Sequence, residues 1–455
     1  MPKASTASSH RRIWAIAGPA ILANSSAPLV GLVDIWAVGH LPGAVHLASV
    51  GLGSVIFNYI FWAFGFLRMG TTGLIAQAWG ANDTRRMTSE VLRSAGLAVF
   101  FGFLLLIFQQ GILALSLKAM APPDAVESIT TAYFKIRIWA APAGLLVYAV
   151  TGVLFGLART RIILALQLVL NITNAALNLY FVVGLDMGVP GVALGTLIAQ
   201  WLTALLSIWV MIRIIGYQAL KSAFHDTQTW LLSRMKKVMV LNGFIFIRTI
   251  FLMTALAIIM RIAGGLGEVE MATSHVIHQY MLLMALGLDG FAHAAEALAG
   301  KAWGKGSLAR FRHWVVLTTI WGIVASLAYA LFFWLAGNVI TGLLTDIEKV
   351  RETVSQLMPM VIALPLASVW CYQFDGVYIG ATAARAMMVT MGIAFAVYLL
   401  VLRPMTQAWG LQGLWGSVLM FMGLRGLLQA AWYPRLETQL SNLGAGDGPR
   451  AKAPG

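Results

Sequence analysis

Long apolar runs, broken by short polar and basic stretches, organise this chain. Twelve runs stand out, with cores near 13–40, 49–77, 93–117, 130–157, 162–184, 190–214, 240–263, 270–299, 314–342, 354–380, 386–402 and 411–433. About 20 residues rising ~1.5 Å each span the ~30 Å hydrocarbon core of a bilayer, so each run is read as a membrane-crossing helix. The apolar positions are continuous rather than alternating, which excludes a β-barrel. The pattern therefore predicts an all-α integral membrane protein with twelve transmembrane helices.

Composition agrees. Hydrophobic residues make up 59% of the 455 positions and charged residues 11%. Mean hydropathy is +0.81. The first apolar run is too long, and lacks the small-residue site, for a cleavable signal peptide. The single cysteine, Cys371, excludes an intrachain disulfide. A net charge of +14 raises the question of nucleic acid, but the charge follows the loops. Lys3, Arg11 and Arg12 precede the first run. Arg85, Arg86, Arg159, Arg161, Lys236, Lys237, Lys301, Lys305 and Arg385 fall in alternate connections. That asymmetry places both termini in the cytoplasm and removes the need for a nucleic-acid partner.

The two halves read as copies. Ala78–Gly80 (AWG) recurs at Ala302–Gly304, Gly152–Gly156 (GVLFG) recurs as Gly376–Gly380 (GVYIG), and Arg161 matches Arg385, all 224 residues apart. Gly188 and Gly191 recur as Gly410 and Gly413 at 222. Two pseudo-symmetric six-helix bundles follow, in parallel repeat. The expected division is a cytoplasmic segment 1–12, a first lobe 13–214, a cytoplasmic linker 215–239, a second lobe 240–435 and a disordered tail 436–455. The GxxxG pairs are helix-packing faces. Repeats of this kind occur in transporters, whose sites lie near the midplane. The sequence has no Walker A motif, so an ion gradient or a partner would drive transport.

The first run carries Pro19, Pro28 and one acid, Asp34. Each proline removes a backbone donor, so this helix can bend. A carboxylate in hydrocarbon is costly and should face protein or a wet cavity. Asp34 has no acidic counterpart in the second half, where the repeat places Ile258. On the fifth run Asn174 and Asn178 lie at i and i+4, and Thr196 opens the sixth. Their oxygens can hold a cation or a water beside an acid, and they can equally bond between helices.

The second half has its own charges. Asp289, His293 and Glu296 share a face of the eighth run, Arg248 lies in the seventh and Asp375 in the tenth. Two readings stand: a structural network in which Arg248 pairs with one of the acids, or a proton-linked site using His293. Arg68 is read as neutralising a buried partner, and Pro142 and Pro365 as hinges or tolerated kinks.

Six stretches in order, PLVGLVDIWAVGHL, FGFLRMGTTGLIAQAWG, YFKIRIWAAPAG, NITNAALNLYFVVGLDMGVPGVALGT, LDGFAHAAEALAGKAWG and FDGVYIGAT, make residues 10–435 resemble the multidrug and toxic compound extrusion (MATE) transporters, and among them the DinF-like branch. The resemblance implies two six-helix lobes and export of organic, often cationic or amphipathic compounds in exchange for H⁺ or Na⁺. Asp34 then matches the first-helix acid, Pro19 the bending proline, and Asn174 and Thr196 the polar residues of the first-lobe cation site. Some members have a second acid where this chain has Asn178. One carboxylate attracts Na⁺ less than two, so H⁺ is the expected coupling ion, with Na⁺ at the Asp34 site as the alternative.

The expected protein is a proton-coupled multidrug antiporter of a bacterial inner membrane. It acts as a monomer, with small organic substrates, lipids around it, no resident metal and no cofactor. Two alternatives come from other classes. One is a lipid-linked oligosaccharide flippase of the same superfamily. The other is a membrane enzyme using Asp289, His293 and Glu296.

Overall fold

The computed structural model describes the backbone of residues 6–39 and 43–446, and side chains over the same residues except 6, 27–35 and 444–446. Every regular element among the described residues is helical. The first half comprises α1 (Thr6–Gly39), α2 (Ala44–Ala63), α3 (Phe66–Gly80), α4 (Thr84–Ile107), α5 (Gln109–Met120), α6 (Asp124–Arg137), α7 (Ala141–Gly156), α8 (Thr160–Leu179) and α9 (Gly188–Ile215). A short α10 (Tyr217–His225) precedes α11 (Leu232–Leu266), α12 (Glu268–Gly304), α13 (Leu308–Leu344), α14 (Glu348–Gly380) and α15 (Ala384–Gly446).

Ten stretches of described helix are long and apolar enough to cross a membrane. Several are interrupted where the sequence read as one run. Phe64 and Gly65 separate α2 from α3, and a 3₁₀ turn at Ile138–Ala140 separates α6 from α7 just before Pro142. The last stretch holds two helices, divided at Gly410 (φ 55°, ψ −131°), a conformation open to glycine. α1 is helical through Pro19 and Pro28. α15 continues to Gly446, so residues 436–446 are helical where a disordered tail was expected.

The chain divides into two compact units. One holds Leu22–Ile75 and Asp83–Met239; the other holds the chain up to Ile21, Ala76–Asn82 and the chain from Val240. In the first, Arg93 is buried on α4 and donates to the carbonyls of Thr229 (2.7 Å) and Gln228 (3.2 Å), docking the basic connection against the bundle. The Arg85 guanidinium, 2.7 Å from Asp226, holds that carboxyl below the usual carboxylate range. In the second, Tyr280, Phe333, Tyr398, Trp415 and Phe421 form much of the core.

The repeat has a physical basis in each unit. A Cβ on Gly152 would meet the Arg68 carbonyl, and one on Gly156 the Thr72 carbonyl. Their counterparts Gly376 and Gly380 face the carbonyls of Ala292 and Glu296 in the same way. Both GxxxG motifs are thus surfaces where two backbones touch. The turns repeat as well. Asn82 and Gly306 have φ of 56° and 64°, Ala158 and Thr382 of 57° and 54°, and Gly188 and Gly410 of 60° and 55°. Arg159 N–H donates to Leu154 (2.8 Å) as Ala383 N–H donates to Tyr378 (2.8 Å), so both helices end in the same left-handed turn.

The AWG copies meet directly. A Cβ on Gly80 would overlap the Lys301 carbonyl, and one on Gly304 would overlap the Gln77 carbonyl. Gln77 and Lys301 are themselves repeat-related, so the contact is reciprocal. Gln77 Nε2 donates to the carbonyl of Gly380 (3.0 Å) and to Thr382 Oγ1 (3.1 Å). The Lys301 ammonium sits 3.1 Å from the centre of the Trp79 ring.

Alanine normally favours a helix over glycine by about 0.5–1 kcal/mol. At Gly80 and Gly304 the sign should reverse, because the added methyl must displace backbone, at a cost of about 1–3 kcal/mol. Gly80→Ala and Gly304→Ala should each lower the melting temperature in detergent. Gly243→Ala, whose Cβ would meet nothing within 4 Å, should leave it unchanged or raise it.

Candidate functional site

The first-half site is built on the hairpin of α8 and α9. A π-helical turn at Tyr180–Gly184 ends α8, and Gly188, at φ 60°, turns the chain into α9. This brings Asn174 and Asn178 against Thr196. All three are buried, with 3%, 0% and 9% of their surface exposed. Asn174 Nδ2 donates to Thr196 Oγ1 (2.9 Å), and that hydroxyl donates to the Val192 carbonyl (3.0 Å). Asn178 Nδ2 donates to Asn174 Oδ1 (3.4 Å). Gly195 makes room, since a Cβ there would overlap the Asn178 amide oxygen.

The cluster extends further along α8 than the sequence reading foresaw. Gln167 Nε2 donates to Asn171 Oδ1 (2.8 Å), and Asn171 Nδ2 donates to both the carbonyl and the hydroxyl of Ser26 on α1 (3.0 Å each). Gln167, Asn171, Asn174 and Asn178 are spaced four, three and four apart, which is one helical face. That spacing was visible in the sequence. Pro19 lies within α1, partly buried. Asp34 lies on α1 by its backbone, but its side chain is outside the described residues.

In the second half, α11, α14 and α15 converge on Asp375. Its carboxylate accepts from Arg248, from Arg425 (3.0 Å) and from Gln429 Nε2 (2.7 Å). Arg248 and Arg425 are 6% and 4% exposed. Of the acids considered for Arg248, the structure therefore pairs it with Asp375 on α14. On α12, His293 Nδ1 lies 3.1 Å from Glu296 Oε1, both buried, and Asp289 is partly buried one turn before His293. Arg425 and Gln429 were missed. The signal was an arginine in the middle of the 411–433 run, a charge that needs a partner in hydrocarbon. Arg68 places its guanidinium 5.3 Å from the Phe155 ring centre, a cation–π contact. Among the described residues no three His, Cys, Asp or Glu side chains gather as metal ligands.

The MatE family model matches this chain at residues 19–180 and again at 245–405, once in each half. The chain belongs to the MatE family. Among its relatives is the Escherichia coli DNA damage-inducible protein F, 33% identical over 94% of this chain and 93% of that protein. Human Multidrug and toxin extrusion protein 1 is 23% identical over 90% of this chain and 72% of that protein. The fold matches the outward-facing structure of a multidrug resistance MATE family transporter of the MOP superfamily, with a TM-score of 0.85, 16% identity, and coverage of 95% of this chain and 96% of that one. MatE proteins are multi-pass membrane transporters and not enzymes, so the reading of Asp289, His293 and Glu296 as a catalytic group falls.

Breaking the Asp375 group should destabilise this MatE protein sharply. Removing one partner of a buried ion pair leaves a charge stranded, at about 3–5 kcal/mol. Asp375→Asn, which sets two guanidiniums together without a counter-charge, should cost more in melting temperature than Gln429→Leu, which removes one neutral donor. Unfolding of the purified variants in detergent checks the order.

Proposed function

We propose that this MatE transporter is a proton-coupled efflux antiporter of a bacterial inner membrane. Organic, often cationic or amphipathic compounds leave as protons enter, through lobes 13–214 and 240–435 with both termini cytoplasmic. Asp34 is the coupling acid, with Asn174, Asn178 and Thr196 as its neighbours and Pro19 as the hinge of α1.

The observation that carries the choice of proton is how the polar neighbours spend their hydrogen bonds. Asn174 and Thr196 bond to each other, the Thr196 hydroxyl is turned to Val192, and Asn174 Oδ1 accepts from Asn178. A hard cation needs several free oxygens and favours more than one carboxylate. A proton needs neither. Where the neighbours are amides and a hydroxyl, the charge on a single acid dominates the local electrostatics, and protonation removes it.

Protonation would let the neutral acid bond to the amides, while the ionised form would favour water or a cationic substrate. Reversing a two-state helix equilibrium from 1:99 to 99:1 takes about 5.5 kcal/mol of differential binding. Proton and substrate would share that requirement, with α1 bending at Pro19 between the two forms. The Arg248, Asp375 and Arg425 group is read as structural, and His293 with Glu296 as outside the coupling step.

Drug flux in proteoliposomes tests this reading. An imposed pH gradient should drive export and an imposed Na⁺ gradient should not. Asp34→Asn should abolish pH-driven export in folded protein, and His293→Gln should leave it largely intact. Asn178→Asp should introduce Na⁺ dependence. Undiminished pH-driven flux in the Asp34→Asn protein would refute the assignment.

A further inference from the structure

A groove of about 370 Å³ runs along the second unit, walled by Trp14 and Ile21 of α1 and by Trp321, Val324 and Ala328 of α13, with Phe291 of α12 beneath. Glycines shape it. A Cβ on Gly287 would strike the Tyr329 ring, and one on Gly290 would strike Ile21. Trp14 packs edge-on against Trp321 and Phe291, with ring centres 5.2 and 5.4 Å apart. The lining is apolar and open. Trp14 is 45% exposed, Val324 46% and Phe332 45%, the last two on α13, a helix long and apolar enough to cross a membrane.

One end of the groove is basic. Trp321 Nε1 donates to His10 Nδ1 (2.9 Å), and His313 Nε2 lies 3.2 Å from Ser9 Oγ, so α1 and α13 begin at the same level. Arg310, Trp314, Leu317, Trp321, Val324 and Ala328 share one face of α13, which puts Arg310 at the head of the groove wall. Arg11 adjoins His10 at the start of α1. Both arginines are exposed, and neither makes an ion pair among the described residues. The carboxylate found at this end, Glu437, is already bound to Arg312 (2.7 Å).

An apolar channel at tail depth, headed by unpaired guanidiniums at the membrane surface, is complementary to one class of molecule. We propose that the groove seats an acyl chain of an anionic phospholipid from the leaflet where α1 begins, its phosphate held by Arg11 and Arg310. Guanidinium groups suit phosphate through paired, charge-assisted hydrogen bonds. A zwitterionic lipid would fill the same channel, but its cationic head would weaken the contact. The two α1 residues that touch the lipid, Trp14 and Ile21, flank Pro19, so an occupied groove would hold α1 on both sides of its proline. The site stands apart from the coupling assignment, and either can fail alone.

The test is lipid binding to the delipidated full-length protein in detergent. Native mass spectrometry would count bound dioleoylphosphatidylglycerol or dioleoylphosphatidylcholine. Wild type should retain one phosphatidylglycerol in preference to phosphatidylcholine. Arg11→Gln with Arg310→Gln, both surface changes, should weaken phosphatidylglycerol about tenfold or more and bring it level with phosphatidylcholine. Ala328→Trp, which fills the channel at an exposed position, should remove both lipids without lowering the melting temperature. Equal retention of the two lipids by wild type, or an unchanged count in Ala328→Trp, would overturn the proposal. So would displacement of the effect onto a lipophilic cation, with tetraphenylphosphonium bound in the groove and phosphatidylglycerol not.

Discussion

Helices in a bilayer gain little by hiding apolar surface from one another, because lipid tails are as apolar as leucine. Their association rests on close packing, and in this protein the closest packing is glycine against carbonyl. Gly152 and Gly156 admit the backbone of α3, Gly376 and Gly380 admit α12, and Gly80 and Gly304 interlock across the AWG copies. At these places a side chain would push the backbones apart. Those contacts fix the spacing of α3 against α7 and of α12 against α14.

Two ways of keeping polarity inside hydrocarbon are visible. The first half uses neutral amides along α8 in two sets: Gln167 bonds to Asn171, which reaches Ser26, while Asn178 bonds to Asn174 and Asn174 to the hydroxyl of Thr196. Nothing in either carries a formal charge, so a single acid nearby would dominate their electrostatics. The second half uses full charges locked together, with two guanidiniums and an amide on one carboxylate. Such a group is stiff, because separating any member strands a buried ion. The first half also keeps a buried ion pair, Arg93 with Glu90, but on α4, not among the α8 amides.

Much of this was legible in the sequence, and the reasons are specific. The repeat was visible because the glycine contacts leave no room for a side chain, whereas the left-handed turns keep their backbone with differing residues, Asn82 against Gly306 and Ala158 against Thr382. Gly188 and Gly410 match at one such turn, while the apolar residues between the matched motifs differ. The polar face of α8 was half-read: Asn174 and Asn178 stood out, whereas Gln167 and Asn171 fell on the same face without notice. Partner choice was not legible. Arg248 had three acids within reach of argument, and only the convergence of three helices selects Asp375 and adds Arg425. Nor did hydropathy reveal the breaks at Phe64–Gly65 and Ile138–Ala140, because a run that bends inside the membrane is as apolar as one that does not.

The Arg248–Asp375 pair also bears on how the chain is made. The two residues are 127 positions apart. At roughly 5–20 residues per second, the arginine leaves the ribosome about 6–25 s before its carboxylate exists. Arg425 comes 50 positions after Asp375. Placing an arginine at the centre of a bilayer costs about 2.5–3.5 kcal/mol even on the most lenient scale. During that interval α11 carries its arginine without the counter-charge from α14, and its apolar run, with a mean hydropathy of 2.2, has to offset the cost. The order of synthesis therefore puts the arginine in the chain before its carboxylate, and the Arg248–Asp375 pair closes only once α14 has been delivered.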